Sequence, residues 1–280
     1  MKNMLYMAVM AGVLSGSSHA MQKAFITGVS RGIGYELAHN LLKKGIHVVG
    51  VARADLNTST IQSLSAFPHF TYLSVDLATS EGIRKVQEYV KNEQPLFDYI
   101  VHNAAILMPL KNLAAMDLAV MENVVQANLI APMKLSSILI PSCKKGAKIL
   151  NVTSCAATTP FAQAGPYCAA KAGLNMLTNI LKKELEPHAI AVASVIPGDV
   201  DTAMQKILRE TDDLELRATF IRNYNEQMLI DPATCALFLT WLLCESTFDE
   251  FNIQEDPFDI YDVSHHAQWL KDGKTIPPRP

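Results

Sequence analysis

From Lys23 onward, short apolar runs of strand length alternate with longer stretches of helical period, and this alternation restricts the fold more than any other feature. Residues 24–27, 47–51, 70–75, 99–102, 148–152 and 191–196 read as six strands. They are apolar almost throughout, as strands are when both faces of a sheet are covered. Helical patterns fall between them at 35–44, 81–91, 117–140 and 166–185, with Gly45 as a stop for the first and Thr79 or Ser80 as a cap for the second. Such alternation predicts an α/β fold: a doubly wound parallel sheet with helices on both faces, entered through right-handed crossovers. Beyond Thr202 the pattern loosens. Residues 203–228 mix charges with Ile207, Leu208 and Leu214, as a mobile helical flap does, and 234–244 reads as a further core helix. A last short strand is expected at 259–263. The 280 residues, 49% of them hydrophobic, suit one domain over 21–280 with no linker to divide it.

The chemistry-bearing motifs lie where strands end. Thr27-Gly28-Val29-Ser30-Arg31-Gly32-Ile33-Gly34 joins the first strand to the first helix. Glycines permit the tight turn and let a pyrophosphate approach the backbone, while the helix start offers unpaired N–H groups and partial positive charge. In isolation this is a turn; after a strand and before a helix it is the Rossmann-type arrangement for a dinucleotide. A site for NAD places an acid at the end of the second strand, whereas NADP needs cations for its 2′-phosphate. That strand ends Val51-Ala52-Arg53, with Arg31 in the first loop as a partner for the arginine, so NADP(H) is the expected cofactor.

Tyr167 and Lys171 are four residues apart on the 166–185 helix, with Ser154 thirteen residues before the tyrosine. The i, i+4 spacing sets a phenol and an ammonium on one helix face. A free phenol titrates near ~10, and a neighbouring cation lowers that value, so the pair can make a tuned proton donor. Alone, Tyr-x-x-x-Lys is commonly a surface pattern; its standing comes from the motifs around it.

Taken together, these motifs resemble the short-chain dehydrogenase/reductase superfamily from Met21 onward. The resemblance assigns cofactor contacts to Gly28, Ser30, Arg31, Gly32, Ile33 and Gly34, and to Arg53. It places Asp76 and Leu77 at the adenine. His102-Asn103-Ala104-Ala105 is similar to the family's Asn-Asn-Ala-Gly segment, which puts Asn103 and Ala104 beside the ribose. Asn128, Ser154, Tyr167 and Lys171 fall where the family keeps its catalytic tetrad, and Pro197, Gly198, Val200 and Thr202 fall at the nicotinamide end. The implied reaction is hydride transfer from the nicotinamide to a carbonyl carbon: Ser154 holds the carbonyl oxygen and Tyr167 protonates it. Lys171 lowers the tyrosine pKa and holds the ribose, so that tuning belongs to the cofactor complex, and Asn128 anchors a water for proton resupply. Gly50-Val51-Ala52-Arg53, Pro197 to Gln205 and Arg209-Glu210 look like the benzil reductase and sepiapterin reductase-like group, which implies an NADPH-dependent reductase of ketones or 1,2-dicarbonyls. The alternatives are a 3-oxoacyl or steroid-type dehydrogenase and a non-catalytic NADP-binding regulator. Ala105 and His102 depart from the family pattern, and Ala105 can weaken cofactor affinity through its added methyl group.

Other features narrow the partners. A net charge of −3 without a basic stripe argues against nucleic acid, and the expected partner is a small carbonyl substrate. Five cysteines without ligand-like spacing read as apolar fillers, Cys155 and Cys168 included, and no metal site is expected. His265-His266 reads as surface loop. The 166–185 helix is apolar nearly all round, which predicts burial in the core or against a second copy, as a homodimer or homotetramer. Residues 1–20 stand outside the fold, either as an upstream extension or as a signal-like segment ending Ser18-His19-Ala20. The expected compartment is cytoplasmic, or exported if that segment is a genuine signal; no membrane association is expected.

Overall fold

The computed structural model describes residues 21–280 except Pro109, Gln254, Glu255, Asp272 and Pro280, so the expectation for residues 1–20 lies outside the described residues. Seven parallel strands form one sheet in the order β3-β2-β1-β4-β5-β6-β7. They are β1 (Lys23–Thr27), β2 (His47–Ala52), β3 (Phe70–Ser74), β4 (Phe97–His102), β5 (Cys143–Val152), β6 (Ala191–Ile196) and β7 (Phe258–Asp259). The helices are α1 (Gly32–Lys43), α2 (Ser59–Ser65), α3 (Ser80–Glu93), α4 (Leu118–Val125), α5 (Ala131–Leu139), α6 (Gly165–Leu185), α7 (Ala203–Arg209), α8 (Leu214–Asn225), α9 (Pro232–Cys244), α10 (Phe248–Ile253) and α11 (His266–Trp269).

Side chains alternate across each strand, and the two sheet faces build two cores. Ala24, Ile26, Val48, Val101 and Leu150 pack with Leu37 and Leu41 of α1 and with Phe238, Leu239 and Leu242 of α9. Phe25, Val49, Ile100, Ile149 and Val192 pack on the other side with Val86 of α3, Leu135 of α5 and Leu174 and Leu181 of α6. Polar residues at helix starts do what their chemistry suggests: Thr79 accepts from the N–H of Gly82 at 3.0 Å, Asp117 from Ala119 at 2.8 Å and Asp213 from Leu216 at 3.0 Å. Lys148 ties the far end of α9 to the sheet, donating to the carbonyls of Leu242 (3.1 Å), Leu243 (2.9 Å) and Ser246 (2.6 Å). Burial pulls this lysine down to about 8.

Four expectations need correction. The first helix begins at Gly32, inside the glycine motif, because the second half of that motif is already the first helical turn. The expected 117–140 helix is interrupted by a π turn at Gln126–Ile130. β7 is Phe258–Asp259, since Ile260 and Tyr261 turn away to cover the loop after β6. His265 is not on a surface loop: it is 6% exposed, stacks on Phe238 at 4.8 Å and accepts from the indole N–H of Trp269 at 2.9 Å. The short α2 carries no signal that sequence reading found.

Candidate active site

In a sheet of this order the strand order reverses between β1 and β4, and a crevice opens where the loops after those strands part. Both loops are fixed there. The N–H of Gly28 donates to the carbonyl of Val51 at 2.7 Å. The Thr27 hydroxyl accepts from the backbone of Asn103 (3.0 Å) and of Ala104 (2.9 Å), and the Asn103 amide donates to the Thr27 carbonyl at 2.9 Å. Glycine is required twice. Gly28 has a φ of +79°, and a Cβ on Gly34 would lie 2.3 Å from the Gly28 carbonyl oxygen. No side chain caps α1, so its first N–H groups face the crevice unclaimed. Ser30 is held by the Thr60 hydroxyl at its carbonyl, Arg31 starts α1 exposed, and Arg53 lies 3.8 Å from Asp76, both largely in solvent. Leu77 is part of the core beside Ile83 and Val86, so its side chain is committed inward.

Ser154, at the end of β5, accepts from the N–H of Ala156 at 3.2 Å, which leaves its own proton to donate outward. Tyr167 and Lys171 lie on α6. The lysine is 2% exposed and donates to the Val152 carbonyl at 2.8 Å, with its nitrogen 5.6 Å from the centre of the Tyr167 ring. Burial pushes the Tyr167 phenol up to about 12, the Ser154 hydroxyl beside it acting the other way, and it pulls Lys171 down to about 8. Within the chain's own groups, therefore, burial outweighs the lysine in setting the phenol.

Asn128 sits in the π turn, 1% exposed. Its amide is used reciprocally on Ile106, accepting from the N–H and donating to the carbonyl, both at 2.8 Å. The side chain is therefore first a clamp on the loop after β4. His102, at the end of β4, meets the Ser136 hydroxyl at 3.1 Å; its other ring nitrogen has no partner.

Ser154 and Tyr167 line one cavity of about 160 Å³ together with Ile33, Pro197, Gly198, Val200 and Thr202. The rest of the wall comes from the 155–165 loop, through Cys155 and Phe161, and from α7 and α8, through Met204, Leu208, Leu216 and Phe220. The Tyr167 hydroxyl points at the Met204 sulfur, 3.8 Å away, and Gln163 donates to Asp213 at the start of α8 at 3.1 Å. Sequence reading placed the site's segments but missed the hydroxyl of Thr27 as organiser, Met204 against the tyrosine, and the polar pair Asp199 and Gln205 in the wall. The strand-end position of Thr27 was visible; Asp199, Met204 and Gln205 lie within the Pro197 to Gln205 motif, but nothing in sequence marked the part each plays. Among the described residues, no group of three or more His, Cys, Asp or Glu is arranged to hold a metal.

The chain matches the short chain dehydrogenase family over residues 22–213. It is 27% identical over 241 residues to a benzil reductase ((S)-benzoin forming) of Bacillus cereus, covering 82% of this chain and 97% of the relative. It is 32% identical over 258 residues to sepiapterin reductase of Rattus norvegicus, covering 85% and 95%. Among solved structures, a metagenomic short-chain oxidoreductase in complex with NADP superposes with a TM-score of 0.63 at 25% identity, covering 85% of this chain and 95% of that one. With a seven-stranded parallel sheet, a glycine loop at its switch point and a family match spanning most of its length, the chain belongs to the short-chain dehydrogenase family of oxidoreductases.

Proposed function

We propose that this oxidoreductase uses NADPH to reduce ketones or 1,2-dicarbonyls of the benzil or sepiapterin kind. The observation that carries the reading is that Ser154 and Tyr167 share the wall of an apolar cavity opening beside the glycine loop. The residues fit the cofactor. Gly28 and Gly34 leave room for a pyrophosphate at an uncapped helix start, and Arg31 and Arg53 offer cations to a 2′-phosphate. Asn103 and Ala104 border the same crevice, and the backbones of Asp76 and Leu77 flank its adenine end. When bound, NADPH supplies a hydride.

The chain's own residues supply the rest. Ser154, its acceptor side already occupied by Ala156, donates to the substrate oxygen. Tyr167 protonates that oxygen as negative charge develops there. Lys171, which here donates to the Val152 carbonyl, would hold the ribose of a bound cofactor and, as a cation beside the phenol, bring its pKa down. The π turn at Asn128 loosens the helical hydrogen-bonding ladder, which suits it to hold the water for proton resupply. Pro197, Gly198, Val200 and Thr202 close the nicotinamide end. Met204 stands where a substrate oxygen must approach the tyrosine, so α7 and α8 act as a flap that shifts on binding. Relatives whose names are those of carbonyl reductases support this reading over a regulator without turnover, which has no need of a proton donor.

The exposed Met176 and Ile180 of α6 and Met133 of α5 support a homodimer, and NADPH chemistry supports a cytoplasmic enzyme. The test is Tyr167→Phe. Following NADPH absorbance over a panel of diketones and pterins, turnover should fall at least ~100-fold while NADPH still binds. A variant keeping most of the parent activity would overturn the assignment.

A further inference from the structure

Asp199 is the only residue with a formal charge among the described residues lining the cavity. Its position is imposed from below. The preceding Gly198 has a φ of +79°, and a Cβ there would lie 2.7 to 3.0 Å from Ile230, Ile260 and Tyr261. The backbone N–H of Asp199 donates to the Tyr261 hydroxyl at 3.2 Å. A loop so packed holds the half-buried carboxylate in the cavity wall, and burial raises its pKa. Among the described residues the carboxylate receives one side-chain hydrogen bond, from the Gln205 amide at 3.3 Å. Gln205 is itself 5% exposed, and its amide oxygen has no partner.

Two acceptors therefore stand in the cavity wall with a single donor between them. An unsatisfied buried acceptor is costly, and native structures contain few. The cation that bears on Asp199 is Arg279, which the C-terminal segment holds to Asp259 and over the Tyr261 ring, its guanidinium 4.9 Å from the ring centre. It moderates the charge on Asp199 without closing the site. Ser154 and Cys155 line the same cavity, which sets the carboxylate in one wall with the reacting end. Leu107, Leu110, Phe161, Leu216 and Phe220 of the same wall carry no donor, and the Thr153 and Thr202 hydroxyls that also line it make no hydrogen bond to Asp199 or Gln205 among the described residues.

We propose that Asp199 and Gln205 form a hydrogen-bond-accepting subsite that selects ketones bearing an N–H or O–H donor, or a protonated amine, in addition to the reacting carbonyl. A substrate without such a donor, benzil itself for example, leaves the Gln205 amide oxygen unpaired and Asp199 with Gln205 as its one side-chain donor. Sites built on buried polar groups reject analogues that lack the matching group far more strongly than apolar pockets reject a missing methylene. This specificity rests on the reading of the cavity as the ketone site.

The experiment compares three benzils of nearly equal size: 4-ethyl, 4-(hydroxymethyl) and 4-(aminomethyl). The methylene insulates the carbonyl electronically, and the three differ in the donor alone. With the full-length protein and NADPH, kcat/KM for the two donor-bearing compounds should exceed that for the ethyl compound about tenfold or more, the difference residing in KM because the contact is made equally in ground and transition states. In Asp199→Leu the ratio should fall toward one, and in Asp199→Asn, which keeps an acceptor, to an intermediate value. Equal kcat/KM in the parent protein overturns the subsite without any variant. So does a ratio that persists in folded Asp199→Leu, which would leave the Asp199–Gln205 contact as a tie between the β6 loop and α7. If none of the three is reduced, the reductase reading fails instead. The subsite is then judged by calorimetric dissociation constants for the same three compounds, and equal constants reject it.

Discussion

Arg53 stands 3.8 Å from Asp76, and both side chains are largely in solvent. An ion pair of that kind contributes little to stability, so removing the arginine should leave the fold intact and act on the cofactor. Arg53→Glu is expected to raise the KM for NADPH at least ~10-fold while changing that for NADH little, since a cation's contact with a phosphate is lost only where there is a phosphate. Equal changes in both constants would show that Arg53 does not read the 2′-phosphate. His102 bears on stability instead. Buried, with one ring nitrogen unpartnered, it is lowered to about 4 from an ordinary 6.5. As pH falls below ~6.5 the unfolded chain takes up a proton that the native histidine refuses until about 4, so native stability falls across that window. Burial lowers His265 as well, in the same direction. The urea midpoint should therefore drop between those pH values, with a shallower slope in His102→Asn; an unchanged slope would place the acid sensitivity elsewhere. The residues whose chemistry is local, the glycines, Ser154, Tyr167 and Lys171, were all legible in sequence. Met204, Asp199 and Gln205 were not, because their roles come from what faces them.

At the scale of elements, the π turn at Gln126–Ile130 is the feature that sequence concealed. Gln126-Ala127-Asn128-Leu129-Ile130 has ordinary helical composition, and the one mark lies just beyond it, where Pro132 has no N–H to give the Asn128 carbonyl. What holds it is Asn128, whose two hydrogen bonds to Ile106 fasten the loop after β4 to the helix. Asn128→Ala leaves a partly buried N–H and C=O of Ile106 without partners, which should cost about 1 kcal/mol in denaturant unfolding and lower kcat as the loop beside the cofactor loosens. Unchanged stability would mean that the clamp is dispensable. The short β7 was displaced by one residue at its start for a related reason: two residues of pairing carry too little pattern, and the covering of Gly198 by Ile260 and Tyr261 decides where the strand stops.

For the whole molecule, the apolar surface is the open question that oligomeric state answers. Leu118–Ser142 has the length and mean hydropathy, 1.3, of a membrane-crossing helix, yet it comprises α4, the π turn and α5, and its Ala131, Leu135 and Leu139 are core residues. The neighbouring α6 buries one side and leaves Met176 60% and Ile180 44% exposed, so the expectation of burial all round fails within a single copy. A second copy would cover such a surface. Light scattering at micromolar concentration should give a dimer mass, and Met176→Lys with Ile180→Lys should give a monomer of unchanged helical content. A parent protein that is already monomeric would refute the pairing.

By itself the sequence determined the sheet-and-helix alternation, the glycine loop and its arginines, and the order of Asn128, Ser154, Tyr167 and Lys171 along the chain. Each of these depends on periodicity or on a residue's own chemistry, and both are local. The tertiary structure alone decided that Thr27 organises the crevice, that burial rather than Lys171 dominates the Tyr167 phenol, and that an acid and an amide share a cavity wall with Ser154 and Tyr167. Those outcomes depend on how far each group is taken from water and on what a distant segment brings against it. Neither quantity is written in the spacing of residues.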